Sequence, residues 1–599
     1  MHADSGREGS VLAPDSAPAS LCARFQDSAA RYRDRIAFTS FDGSFADITW
    51  GEYARKVEET AGALAAMGVG PGDCVALLFS TRPEFHWFDL AALHLGARTV
   101  SVYNTAPPQF IEYLLTNSGA RVLVTERAYG AQAEQAAGLI EHVTVIDEAA
   151  GGRHAWADHV AATPADFDFE ARWRQVSSSD LATMIYTSGT TGVSKGVQLT
   201  HGNILWAVGT YMERMGLPFG SAQMSYLPMA HIAARNMDHY GQILRGFQMT
   251  LLTDHSEVLD GMLKVRPGLF FSPPRMWEKL RSRIQAEIAA QSDPAHRAEL
   301  TAALERGLER VRRDEKADEA EIAVMRDIRA LVGLDRIAAA IIGGAPVARE
   351  LMEFFHAVGV PLGESYGMSE NGGVCTTNPP DGVRFGTIGV PLDGQEVRLA
   401  DDGEILVKGP GVMVGYRDMP EATAEAIDGD GWLHTGDIAT RDADGYLTIV
   451  DRKKELIINA AGKNMSPVLI EGELRKHGRL LSTAVAIGEG RPYIVALLTL
   501  DPDALATHCA DNGIEPAPLE ELATDARILA VVEEDVETAN QGLSRVEQIK
   551  RFHIVTDTWT PGGNEVTSTL KIRRKGVADR YQEEIRALYD RRALAGSAG

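Results

Sequence analysis

Cysteine is nearly absent from this chain: four in 599 residues, Cys22, Cys74, Cys375 and Cys509, with no C-x-x-C spacing among them. That excludes a disulfide framework and offers no zinc-ligand pattern, so a reducing, cytoplasmic setting is expected. Long apolar runs are missing too. No uncharged stretch reaches the roughly 18 residues of a membrane span, and the nearest, Ile337 to Ala348, is interrupted by Gly and Pro. The expectation is a protein without a transmembrane segment, at most in peripheral contact with a membrane. Basic charge is in short supply, with 59 Lys and Arg against 83 Asp and Glu for a formal net charge of −24. A field of that sign repels a long polyanion and argues against nucleic acid as a partner, while a local basic pocket for a small phosphate ligand stays open. Residues 1–20 lack the basic-then-apolar order of a secretory signal and read as a flexible leader. No repeat of 20 to 50 residues is evident.

What is present is an ordinary globular composition, 45% apolar and 24% charged, long enough for three or four folding units. From about Leu21 to Thr440, β-branched runs such as Val75 to Phe79 alternate with amphipathic helical stretches, the rhythm of a layered α/β domain. Residues 279–331 change to a charge-rich Ala/Glu/Arg texture broken at Ser292-Asp293-Pro294, which predicts an insertion of two exposed helices. From 394 to 450, strands alternate around the turn pairs Asp402-Gly403 and Asp444-Gly445, the pattern of an antiparallel β subdomain. The charged junction Asp451-Arg452-Lys453-Lys454 predicts a boundary between a large unit, 21–452, and a smaller α+β unit, 453–599.

Four segments carry chemistry. The first, Tyr186 to Gly196, follows the strand-like LATMI and precedes the strand-like VQLT. Its glycines, Gly189 among them, let backbone N–H groups approach an anion, its hydroxyls (Thr187, Ser188, Thr190, Thr191) can donate to phosphate oxygens, and Lys195 adds a positive charge. Gly196 after the lysine, where a Walker A loop needs a hydroxyl, rules that motif out. The second is Tyr366-Gly367-Met368-Ser369-Glu370, in which an aromatic ring could stack on a base, a hydroxyl could bind phosphate and a carboxylate could hold Mg²⁺. Upstream of it, Gly343-Gly344-Ala345 follows a buried strand and precedes a helix with Pro346 near its first turn, leaving open backbone for a purine. The third contains Asp437, suited to accepting ribose hydroxyls, and Arg452, suited to the same sugar or a phosphate. The fourth is Ser568 to Arg574. Taken singly, each has a plain alternative: a surface loop, a strand-to-helix turn, a hairpin-capping acid, a solvated basic run.

In this order and at these separations the segments YTSGTTGVSKG, SYGMSE, GWLHTGD, DRKKE and TLKIRR resemble the adenylate-forming superfamily of acyl-CoA synthetases, luciferases and peptide-synthetase adenylation domains, over nearly the whole chain. GDGWLHTGDIATRDADGYLTIVDRKKE is similar to the fatty-acyl-CoA synthetase signature, and SPPRMWEKL with the helical insertion looks like the long-chain branch. Ala439, Arg441 and Ser369 stand where that signature often has Gly, Trp and Thr; the serine keeps the hydroxyl.

The resemblance implies that Thr187 to Lys195 form a loop on the β- and γ-phosphates, with Tyr366 on adenine, Glu370 on Mg²⁺, and Asp437 and Arg452 on ribose. It implies that Lys571 is the adenylation lysine of a mobile C-terminal domain, Lys454 its hinge, and Gly462 part of a loop facing the pantetheine channel. His231 matches a residue between the carboxylate and the thiol tunnel; by residue type alone, in that apolar context, it reads as a structural histidine. Leu227, Met229, Met276 and Trp277 are expected beside the acyl chain. The implied activity is ATP-dependent conversion of a long-chain fatty acid to acyl-AMP and pyrophosphate, then transfer to coenzyme A. Two other readings are a fatty acyl-AMP ligase that loads a carrier protein and a catalytically silent acyl or nucleotide sensor.

Overall fold

A computed structural model of the chain describes residues 20–147, 156–187, 194–453, 455–460, 463–559, 563–567 and 572–590. Almost all of the leader 1–20 lies outside these, as do Ser188, Gly189, Thr190, Thr191, Lys454, Gly462 and Lys571. The molecule is mixed α/β, with a large N-terminal part and a smaller C-terminal one.

The largest sheet has seven strands in the spatial order Gly415–Tyr416, Lys195–Thr200, Leu181–Thr187, Arg98–Ser101, Cys74–Leu78, Val122–Thr125, His142–Val145. From Leu181–Thr187 outward to His142–Val145 the strands are parallel. Cys74–Leu78 is buried at every position, as expected of a parallel strand covered by helices on both faces. One covering helix, Pro83–His94, is buried almost all round and belongs to the core. Its neighbour Trp50–Ala66 starts at a capping box in which the Thr49 and Glu52 side chains accept from each other's backbone N–H.

A second sheet sets Leu269–Ser272, Ala339–Gly343 and Leu362–Tyr366 in parallel and ends in two short antiparallel strands. The two parallel arrays bring the segments rich in Gly and hydroxyl groups to strand ends, the usual position of ligand crevices in such sheets.

The 279–331 texture is three helices, Pro274–Ala289, Pro294–Arg312 and Glu319–Ala330, where two were expected. The unforeseen break is at Asp314, held at φ +55°, followed by an Asp318 cap whose carboxylate accepts from Glu321 N at 2.8 Å. These helices are not wholly exposed: Leu300 and Ala303 are buried in a shared apolar cluster with Trp277, Phe354 and Phe355.

The pairs Glu396–Leu399 with Glu404–Lys408, and Leu433–Arg441 with Leu447–Arg452, are antiparallel and form one four-stranded sheet. Beyond it, a three-stranded sheet of Leu481–Ile487, Ile494–Leu500 and Ile549–Val555 packs with the helices Pro467–His477 and Ala526–Gln541 around its own core, including Ile470, Leu498, Ile528 and Val532. All four cysteines are free and buried. Among the described residues no helix is long and apolar enough to cross a membrane.

Candidate active site

Leu181–Thr187 and Lys195–Thr200 run antiparallel with Thr187 opposite Lys195, so the two ends of the first motif are held side by side; residues 188–193 between them lie outside the described residues. Its base is fixed: Ser194 Oγ donates to Thr187 O at 2.7 Å, and Tyr113 OH donates to Ser194 O at 2.7 Å. Lys195 Nζ stands 4.6 Å from the centroid of the Tyr416 ring. Tyr416 sits on the edge strand that pairs with Lys195–Thr200, and its hydroxyl donates to Glu370 Oε1 at 2.9 Å. One tyrosine therefore joins the hairpin lysine to the carboxylate expected on Mg²⁺.

Ser369 and Glu370 open a short 3-10 turn, Ser369–Asn371, directly after the strand that ends in Tyr366. Glu370 is 7% exposed. Burial pushes its carboxyl above the usual range; the Tyr416 hydrogen bond and the charges of Arg452 and Lys195 act in the opposite sense without cancelling it. Gly367 is required here, because a Cβ would lie 2.4 Å from Gly373 O.

Tyr366 OH donates to Asp437 Oδ2 at 2.6 Å, and Arg452 Nε lies 3.1 Å from Asp437 Oδ1. Asp437 and Arg452 face each other across their antiparallel strand pair. Three residues expected on a nucleoside thus form one cluster, with Asp437 buried and Tyr366 and Arg452 partly accessible. Burial, then the neighbouring Asp437 carboxylate, hold the Tyr366 phenol well above its ordinary range.

Gly343 ends its strand opposite Ser365, and Gly344 and Ala345 form an exposed turn beside it. Gly344 has φ +83°, which disfavours any side chain. The helix expected at Pro346 starts later, at Arg349; the left-handed turn at Gly344 carries the chain away before helical geometry is resumed.

His231 caps the turn Ile232–Ala234, its Nδ1 accepting from Ala233 N at 3.2 Å. It therefore has a structural part. The preceding Pro228, Met229 and Ala230 border a cavity of about 70 Å³ together with Phe85, Ser101 and Asn104. Trp277 is not beside it: the ring is fully buried and its Nε1–H donates to Ile341 O at 3.2 Å, so it is a core residue.

The sequence reading missed two features. Tyr416, in GVMVGYRD, has no local signal; only the pairing of its two-residue strand reveals it. The other is a π-helical turn, Arg235–Tyr240, directly after the His231 cap. Arg235 pairs with Asp89 and donates to Thr183 on the strand leading into Thr187, while Asn236 Nδ2 donates to Gly372 O at 2.7 Å, just past Glu370. His239 Nε2 lies 2.9 Å from Asp89. Burial alone would raise the Asp89 carboxyl, but Arg235 and His239 hold it down to about 2.

Among the described residues no three His, Cys, Asp or Glu side chains gather around a point. A cation bound here would rest on the single carboxylate of Glu370, with phosphate oxygens and water completing its shell, which is the donor set that suits Mg²⁺.

The family model for the AMP-binding enzyme matches residues 25–417, and that for the AMP-binding enzyme C-terminal domain matches 454–593. The chain belongs to the AMP-binding enzyme family. Among curated relatives of this family member, the long-chain-fatty-acid–CoA ligase FadD15 of Mycobacterium bovis is 34% identical over 573 residues, 92% of this chain and 93% of that one. The long-chain-fatty-acid–CoA ligase ACSBG2 of Gallus gallus is 29% identical over 622 residues, 96% of this chain and 81% of that one. Among solved structures, O-succinylbenzoate coenzyme A synthetase (MenE) of Bacillus subtilis, in complex with ATP and magnesium ion, superposes with a TM-score of 0.68 at 20% identity, over 92% of this chain and 98% of that one. That last likeness is one of fold.

Proposed function

We propose that this enzyme activates a long-chain fatty acid with ATP and passes the acyl group to coenzyme A. The observation that carries the reading is the convergence of Lys195 and Glu370 on Tyr416, next to the Tyr366–Asp437–Arg452 cluster. A polyphosphate and the nucleoside it belongs to need that pairing of a basic hairpin, a cation-binding carboxylate and a hydroxyl-binding acid. The relatives' names supply the acid and the thiol.

A carboxylate is a poor electrophile. Its oxygen attacks the α-phosphorus of ATP, the bond from that phosphorus to the bridging oxygen breaks, and pyrophosphate leaves with an acyl-AMP formed. The thiolate of coenzyme A then attacks the acyl carbon and AMP departs. In this reading the segment from Thr187 to Lys195 holds the β- and γ-phosphates, Tyr366 and the turn Gly343-Gly344-Ala345 flank adenine, and Asp437 with Arg452 holds the ribose. Ser369 stands toward phosphate and Glu370 would hold Mg²⁺, whose charge offsets that of the departing pyrophosphate. Lys571 cancels the repulsion between carboxylate and α-phosphate in the first step, where the charge develops. The unit 453–599 then turns about Lys454, withdraws Lys571 and presents the loop at Gly462, with His231 beside the incoming thiol.

Pyrophosphate release that depends on both a long-chain acid and ATP, followed by thioester on addition of coenzyme A, is the expected result. An acyl-AMP that accumulates and is not consumed by coenzyme A would favour the acyl-AMP ligase instead. No pyrophosphate with any acid from C8 to C20 would leave only the sensor.

A further inference from the structure

Nothing in the sequence motifs points to the segment 410–417, yet it holds both halves of the polyphosphate site. Met413 N donates to Glu370 O at 2.9 Å, Val414 N donates to Gln198 O at 3.1 Å and Arg417 N donates to Gly196 O at 2.8 Å. Between these anchors Tyr416 is 8% exposed, its ring beneath Lys195 Nζ and its hydroxyl on Glu370 Oε1. A buried carboxylate on a short turn has several rotamers, and binding a cation through one oxygen requires that one of them be chosen in advance. The hydroxyl does that choosing, because it engages Oε1 and so fixes the plane of the carboxylate. The ring does a second job, because an ammonium over an aromatic face is held without being neutralised and keeps its charge for a phosphate.

We propose that Tyr416 is a positioning residue with two separable parts, its hydroxyl orienting Glu370 for Mg²⁺ and its ring orienting Lys195 for the polyphosphate of ATP. This rests on the assignment of Glu370 to the cation, and the test keeps the two apart.

Calorimetric titration of the full-length protein with ATP, in stepped MgCl₂ and in EDTA, reads binding without turnover. Tyr416→Phe removes only the hydroxyl. It should raise the Mg²⁺ half-saturation about tenfold, the usual worth of one hydrogen bond to a charged group, and leave ATP binding in EDTA unchanged. Initial rates should recover at saturating Mg²⁺. Tyr416→Leu removes the ring as well and should also weaken ATP binding in EDTA. In a Glu370→Gln background, Tyr416→Phe should add no further Mg²⁺ shift, since its effect runs through that carboxylate. Half-saturation does not depend on how much of a sample is folded, so partial loss of protein does not blur the comparison.

A wild-type Mg²⁺ half-saturation in Tyr416→Phe, a fall in rate with no Mg²⁺ shift, or additive shifts in the double variant would each overturn the proposal. If Glu370→Gln itself left the Mg²⁺ titration unmoved, the assignment of Glu370 would fail, and the inference about the hydroxyl with it. The ring's effect on ATP binding in EDTA would then stand or fall on the Tyr416→Leu result.

Discussion

A carboxylate held out of water costs stability unless a positive charge comes to meet it, and Glu370 is in that position. Removing its charge while keeping its size should therefore separate function from folding. Glu370→Gln is expected to slow acyl-AMP formation by about a hundredfold at limiting Mg²⁺, the scale of an electrostatic contact made in the transition state, and to leave the melting temperature unchanged or higher. A magnesium titration of pyrophosphate release beside a thermal melt checks both; equal rates at every Mg²⁺ concentration would make Glu370 a structural residue. At this scale the sequence was legible where a residue type announces its chemistry within a short motif. Thr187, Lys195, Tyr366, Glu370, Asp437 and Arg452 were all named from local pattern, and the fold brings them into two linked clusters. Tyr416 was not legible, because its partners lie on a neighbouring strand and on a distant turn, and nothing in GVMVGYRD encodes that pairing. Trp277 failed for the complementary reason: a tryptophan near a motif says nothing about whether its indole faces a ligand or the core.

The element that organises the site is the π-helical turn Arg235–Tyr240, which puts successive side chains onto the Thr183 strand and onto the turn after Glu370. Its Arg235–Asp89 pair is fully buried. Breaking it from one side leaves a charge stranded, so Arg235→Met should destabilise the protein by about 3 to 5 kcal/mol in urea denaturation, whereas Arg235→Met with Asp89→Asn should recover much of that loss. Equal destabilisation by the single and double variants would mean that packing, not charge, is what the arginine supplies. The same turn carries Asp238, whose carboxyl burial raises to about 7 despite hydrogen bonds from Ser225 and Gln223. An acid whose folded value lies above its unfolded one near 3.8 binds its proton more tightly in the native state. It leaves stability untouched below pH 4 and lowers it as pH rises toward 7, by up to about 4 kcal/mol. Asp238→Asn should accordingly stabilise the protein at pH 8, have little effect at pH 4, and flatten the stability profile between them. A gain of equal size at both pH values would contradict that. A π-turn is beyond sequence periodicity, since HIAARNMDHY reads as one amphipathic stretch. The third helix of the insertion was missed because its break at Asp314 uses an aspartate in a left-handed conformation in place of a Gly or Pro signal.

At the scale of the whole molecule the layered α/β part was readable from alternating β-branched runs and amphipathic stretches, because parallel strands buried on both faces must be apolar throughout. The sheet order was not, since strands distant in sequence become neighbours only after crossover connections form. The proposed two-step cycle makes its own demand at this scale: one lysine must serve the first step and a hinge must serve the second. Lys571→Ala should abolish acyl-AMP formation by several powers of ten yet still convert supplied acyl-AMP and coenzyme A to thioester. Lys454→Pro, which fixes φ and deletes an N–H at the hinge, should do the reverse. Equal loss of both half-reactions in both variants would remove the basis for a rotating domain.

Transfer of the AMP group from ATP to the acid is reversible before coenzyme A is added, so pyrophosphate–ATP exchange in its absence isolates that step. Labelled pyrophosphate is expected to enter ATP only when both Mg²⁺ and a fatty acid of about 12 to 18 carbons are present. Exchange should fall as the chain shortens, because each buried methylene is worth about 0.8 kcal/mol. Acid-dependent formation of ADP and phosphate, or exchange indifferent to the acid, would contradict AMP transfer to the acid.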